Sequence, residues 1–336
     1  MPQLRRIWIF ALLMLATGVF LQAQSTTQHA FLWSPTTGMH DLGSLGGNSS
    51  AASINNSGQV VGYYIDSLGN SRAFLWTSSA GMQDLGTLGG SFSGATGINA
   101  KGQVVGAAST ASGEVHAFLW TAAAGMKDLG TLGGNSSNAA AINELGAVTG
   151  SSAKSGNTRV VAFIWTPKGG MHGLGTLGSL YSFGYALNGA GAVVGASPLN
   201  SSLTPNRGFI HQPTGPIADL GTLGGDNSTA LGINASGQVV GWSSISSVSP
   251  FHAFVWRQGT AMQDLGTLGG QNSSALAINR SGQIVGFSDL TENGVTHAAM
   301  WTGANKIQDL GTLGGTYSTA TGINNLGQVV GYSSLP

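Results

Sequence analysis

The sequence predicts an all-β fold: a seven-bladed β-propeller of four-stranded blades, closed by pairing of the N- and C-terminal strands within one blade. Three observations predict it. A motif of roughly 44 residues recurs seven times, its internal spacing is nearly constant, and no stretch sustains the 3.6-residue apolar period of a helix. Four short strands in a unit of about 40–45 residues is the pattern of a propeller blade, and propellers have about 4–8 blades. An open β-solenoid is the alternative; it would need capped ends, and no atypical end unit is visible.

Each repeat carries three phrases. The first is AFLW at Ala30–Trp33, Ala73–Trp76 and Ala117–Trp120, with AFIW at Ala162–Trp165 and AFVW at Ala253–Trp256. It has drifted to GFIH at Gly208–His211 and AAMW at Ala298–Trp301, so the fifth and seventh copies are expected to bury less apolar area. The second phrase is DLGTLGG or a close variant, beginning at Asp41, Asp84, Asp128, Asp219, Asp264 and Asp309, with Gly173 in the remaining copy. The third, INxxGQVVG and its variants, begins at Ile54, Ile98, Ile142, Leu187, Ile233, Ile278 and Ile323. The tryptophan position precedes the aspartate position by eight residues in all seven copies, and the aspartate position precedes the asparagine by 15, or 14 in the first copy. Variation is confined to the segment between VVG and the next AFLW, which reads as a free surface loop joining fixed units.

AFLW is apolar on both faces and reads as a buried strand. The segment ending in Asp-Leu-Gly reads as a second, short strand. A Gly/Ser/Asn loop then enters a strand of small residues such as Ala51-Ala52-Ser53-Ile54. The Asn-x-x-Gly turn that follows places Gly58 and its six equivalents where positive φ is required, and Gln-Val-Val-Gly completes the unit. If the small-residue strand is innermost, where the axis is most crowded, the first blade takes two inner strands from the C-terminus and two outer strands from the N-terminus.

Arg5 and Arg6 followed by the apolar run Ile7–Leu21 predict a secretory signal peptide over residues 1–23 and a single mature domain over 24–336. The protein is therefore expected to be exported, periplasmic or extracellular, with no membrane span after signal removal and no anchor after Pro336. It has no cysteine, so stability must come from packing and sheet ladders rather than disulfides. Only 7% of residues are charged, against about 25% in ordinary domains, and the net charge is zero, which argues against nucleic acid as a partner.

His29-Ala30-Phe31, His116-Ala117-Phe118 and His252-Ala253-Phe254, together with the DLGTLGG and INxxGQVVG phrases, resemble the HAF repeat family. The resemblance covers essentially the whole mature chain. It implies an exported bacterial repeat protein and brings no assigned activity, cofactor or catalytic residue.

The residues themselves offer no catalytic constellation: there is no G-x-S-x-G elbow, no phosphate loop in a strand–helix context and no metal-ligand spacing. An aspartate repeated in six units suits a structural bond to a turn backbone better than acid–base work. His29, His116, His252 and His297, with Arg72, Arg207 and Val161 at the equivalent places, read as strand-edge or packing residues. No cofactor or metal is expected. The loops after DLGTLGG are the candidate ligand surface, forming a ring near one mouth of the central channel. They carry Asn48, Phe92, Asn135, Tyr181, Asp226, Asn227, Asn272 and Tyr317, the amide, hydroxyl and aromatic groups that an uncharged polar ligand such as a glycan needs. The alternative is that they only satisfy turn backbone groups. The sequence thus points to a non-catalytic binding scaffold for a polysaccharide, a cell-wall glycan or a protein surface. A polysaccharide-active propeller enzyme (glycosidase or lyase) and a structural envelope protein are the alternatives.

Overall fold

The computed structural model describes residues 27–336 except 202, 248, 292–294 and 304–305. The signal peptide expected over 1–23 lies outside the described residues. Every regular element described is a strand apart from one 3-10 turn at Ser155–Asn157, and no helix among the described residues is long and apolar enough to cross a membrane.

The strands fall into antiparallel sheets that repeat one order. In the first complete unit, Ser49–Ile54 pairs with Val60–Ile65, which pairs with Ser71–Thr77, which pairs with Gly81–Asp84. The same order recurs in four-stranded sheets over residues 183–219, 228–264 and 269–309. The units over 89–128 and 133–173 are joined into one eight-stranded sheet by a single parallel bridge, Ser136 to Val115. The chain ends meet in the last sheet. Its two C-terminal strands, Ser318–Ile323 and Val329–Ser334, pair with the N-terminal strands Gln28–Ser34 and Gly38–Asp41, as the repeat phase predicts. The first strands of successive units touch one another all the way round, with Ser318–Ile323 returning to Ser49–Ile54.

Two features of the repeat explain this geometry. The asparagine after each first strand is buried, and its Oδ1 accepts turn N–H groups; Asn55, for example, takes those of Ser57 and Gln59, both at 3.0 Å. Its Nδ2 donates to the backbone carbonyl of the equivalent asparagine in the next unit. These bonds run from Asn55 to Asn99, Asn143, Asn188, Asn234, Asn279 and Asn324 and back to Asn55, at 3.0–3.4 Å. The result is a closed circle of side-chain-to-backbone bonds. The glycine of each Asn-x-x-Gly turn has positive φ throughout, from +71° at Gly102 to +87° at Gly191.

The glycine of Gln-Val-Val-Gly has a different reason. A β-bulge in the first strand turns a carbonyl into the space a side chain would fill: a Cβ on Gly106 would meet the Gly94 oxygen and one on Gly150 the Asn138 oxygen. Directly across from that glycine on the third strand stands the phenylalanine of Ala-Phe-Leu-Trp, fully buried at Phe31, Phe74, Phe118, Phe163, Phe209 and Phe254. In the seventh copy Ala299 faces Gly286, and the neighbouring Trp301 is fully buried. In the fifth copy, His211 replaces tryptophan; its Nδ1 is buried without a partner, and burial pushes its pKa down.

The Gly-Gly of DLGTLGG departs from the loop expectation in three units. There it belongs to a ten-residue first strand, as in Gly89–Ile98, Gly133–Ile142 and Gly269–Ile278. In each of these the second strand runs on to Thr110, Lys154 or Leu290, and Gly89, Gly133 and Gly269 pair with those residues.

Gly106→Ala is expected to destabilise the protein by about 2–3 kcal/mol, because backbone rather than a flexible side chain must move. Gly113→Ala, at a turn with open space around it and φ of +83°, should cost about 1 kcal/mol. Urea denaturation of the two variants checks the order.

Candidate ligand-binding face

Strand direction divides the molecule into two faces. The Asn-x-x-Gly turns and the turns joining third to fourth strands lie on one, the hairpin face. The DLGTLGG loops and the variable connections from second to third strands lie on the other, the loop face. All eight sequence-derived ligand candidates are on or beside the loop face.

Their bonding is local. Asn48 Oδ1 accepts the Gln28 N–H at 3.0 Å, Asn227 Oδ1 that of Asn206 at 2.9 Å, and Asn272 Oδ1 that of Phe251 at 3.3 Å. Each of these amides caps the start of a third strand in the preceding sheet, so the three asparagines sit over the seams between sheets. Asn272 Nδ2 also donates to Asp289 at 2.8 Å. Asn135 is exposed and its N–H donates to Asn157 Oδ1 at 2.9 Å. Phe92 and Tyr181 are half-buried, their N–H groups held by Ser109 and Ser179 hydroxyls. Asp226 is exposed. Tyr317 Oη donates to Gln28 Oε1 at 2.9 Å, so Gln28 brings Tyr317 and Asn48 together where the chain ends meet. Of the others, Asp226 and Asn227 share one loop, and the rest occupy separate units.

Two sets of residues whose roles the sequence reading did not find organise this face. One is a buried serine at the start of every first strand: Ser49, Ser93, Ser137, Ser182, Ser228, Ser273 and Ser318. Its hydroxyl accepts the N–H of Ala30 or its equivalent in the preceding sheet at 2.8–2.9 Å and donates to the glycine carbonyl after the Asp-Leu pair at 2.5–2.6 Å. The signal was available, since a serine stands seven residues after that glycine in most copies, but Ser in a small-residue run attracts no notice.

The other set is a histidine or arginine facing each DLG aspartate. The Nδ1 atoms of His29, His116, His252 and His297 lie 2.7–2.8 Å from Asp41, Asp128, Asp264 and Asp309. Arg72 reaches Asp84 through Nε (2.9 Å) and Nη2 (3.1 Å), and Arg207 stands 3.8 Å from Asp219. The remaining copy has Val161 and Gly173, so both partners are replaced together. Each aspartate also accepts the N–H two residues on, from Gly43, Gly86, Gly130, Gly221, Gly266 or Gly311, at 2.5–2.8 Å. The expected backbone bond is thus present, and the histidines are its partners rather than plain edge residues. No group of three or more potential metal-ligating side chains occurs among the described residues.

No family model matches the chain. No curated protein matches it either. Among solved structures, the β-propeller domain of the trilobed protease from Pyrococcus furiosus aligns with a TM-score of 0.54 at 10% identity, over 82% of this chain and 88% of that one. A TolB structure from Agrobacterium tumefaciens aligns with a TM-score of 0.53 at 10% identity, over 93% and 100%. The acylaminoacyl peptidase from Pyrococcus horikoshii aligns with a TM-score of 0.52 at 9% identity, over 81% of this chain and 48% of that one; this chain spans about half the peptidase's length. At these identities the likeness is one of fold, and it makes the chain a β-propeller.

Burial alone would raise the Asp84 pKa, but the Arg72 guanidinium, the Tyr64 hydroxyl and the Gly86 N–H outweigh it and hold the carboxyl below its usual value. In return, burial and then the Asp84 bond push Tyr64 up to about 12. A depressed carboxyl contributes stability above its unfolded pKa of about 3.9 and loses it as pH falls through the folded value. Asp84→Asn should therefore cost roughly 0.5–1 kcal/mol at pH 7, the screened worth of a part-exposed pair, and the gap to the parent should narrow below about pH 4. Urea midpoints from pH 7 to pH 3 check this; a gap of constant size would contradict it.

Proposed function

We propose that the chain is an exported, non-catalytic HAF repeat protein, a seven-bladed propeller of four-stranded blades that acts as a binding scaffold. Its ligand class is a polysaccharide, a cell-wall glycan or a protein surface, met by the loop face. The observation that carries this reading is the division of labour within the repeat. Ser, Asn, Gly and Asp hold the frame by the same bonds in every or nearly every unit, whereas sequence and length vary in loops collected on one side. A rigid scaffold presenting variable loops is the usual arrangement of a binding surface. The DLG aspartates, the most numerous acids of the chain, are each engaged by a histidine or arginine and a turn N–H, which supports a structural rather than an acid–base role for them.

A glycan and polysaccharide array with the mature chain from Gln24 tests the reading, alongside a variant carrying Phe92→Ala, Tyr181→Ala and Tyr317→Ala. Binding by the parent and its loss in the variant are expected. Silence of the parent on the array would leave protein binding or a structural envelope role. Turnover of any arrayed polysaccharide would overturn the non-catalytic reading.

A further inference from the structure

The hairpin face departs from the repeat between two neighbouring sheets. A cleft of about 310 Å3 lies between the sheets over residues 183–219 and 228–264, lined by Ile210, Gln212, Ser236, Gly237, Gln238, Trp256, Arg257 and Gln258. The volume is at the small end of ligand pockets, about right for one or two sugar rings. The residue after the AFLW tryptophan is Ser34, Thr77, Thr121, Thr166 and Thr302 in five copies, but Gln212 and Arg257 in the two that flank this cleft. The next residue is Pro, Ser, Ala or Gly everywhere except Gln258. Three departures from the repeat thus meet in one cavity, whereas neutral drift would scatter them.

The chemistry of the three is coherent. Gln238 Oε1 accepts from Asn234 Nδ2 at 2.9 Å, as its equivalents do in other units; with the amide turned, the oxygen instead faces Arg257 Nη2 at 2.7 Å and Nε at 3.1 Å. One edge of the guanidinium thus lies against a neutral amide, and the other is left to bond elsewhere. Among the described residues no carboxylate lies within ion-pair distance of Arg257. A planar, oriented, charge-unpaired guanidinium is a carboxylate receptor. Trp256, half-buried against the core cluster that includes Ile210 and Phe254, supplies an aromatic surface beside it, and Gln212 and Gln258 supply amide donors and acceptors for hydroxyls.

We infer that this cleft is a second binding site, for an acidic saccharide: a hexuronate unit whose carboxylate meets Arg257 and whose ring lies along Trp256. It is on the opposite face from the loops of the proposed function and does not depend on them. Isothermal titration of the mature chain with trigalacturonate tests it, with neutral maltotriose as control. Trigalacturonate is expected to bind, at least tenfold more weakly to the exposed-site variant Arg257→Gln and several-fold more weakly to Gln258→Ala, and unchanged in the Phe92, Tyr181 and Tyr317 triple variant. Absence of binding at millimolar trigalacturonate, equal affinity for maltotriose, or an affinity indifferent to Arg257→Gln would each overturn the inference. Binding abolished only in the triple variant would also overturn it and would assign the saccharide to the loop face instead.

Discussion

The circle of asparagines is the constraint on which the rest depends. Each Asn side chain both shapes its own hairpin and donates across to the next unit, so local turn chemistry and ring closure are one interaction. A buried amide with its donors and acceptors all used is worth more than its pairwise bonds suggest, because the alternative is an unsatisfied polar group away from water. The serine bridges do the same work at the other end of the first strands. Between them, the seams rest on uncharged polar groups, which fits a chain so poor in charged residues and so rich in Ser, Asn and Gly.

The apolar part of each seam is regular. A phenylalanine fills the space above a glycine on the neighbouring strand, and that glycine exists because a bulged carbonyl leaves no room for a Cβ. His-Ala-Phe can then be read physically. The histidine faces the aspartate 12 residues on, the alanine N–H bonds the serine of the next unit, and the phenylalanine packs over the glycine.

Much of the fold was legible because the repeat exposes geometry as spacing. Fixed distances between phrases gave four strands per unit, and the phase of the chain ends gave the pairing of Gln28–Ser34 with Val329–Ser334. The His/Arg–Asp pairing was less legible, since one partner comes from the third strand and the other from the fourth; only the joint loss at Val161 and Gly173 betrays it. The strand character of Gly89, Gly133 and Gly269 was hidden, because the length of the second strand decides it and not the glycines. For the ligand candidates, residue type was legible but the bonding set by position was not. Asn48, Asn227 and Asn272 cap strand starts over the seams, a placement set by the neighbouring sheet. Arg257, the residue that most departs from the repeat in chemistry, was passed over because attention went to what recurs.

The most direct test of the account is the equilibrium unfolding of Asn234→Ala. The substitution removes one link of the circle and leaves the Ser236 and Gln238 N–H groups and the Asn279 carbonyl short of a partner. The account predicts a loss of about 2–3 kcal/mol, the cost of stranding buried polar groups. A change below about 0.5 kcal/mol, the level of an ordinary surface substitution, would contradict the claim that the asparagine circle holds the units together.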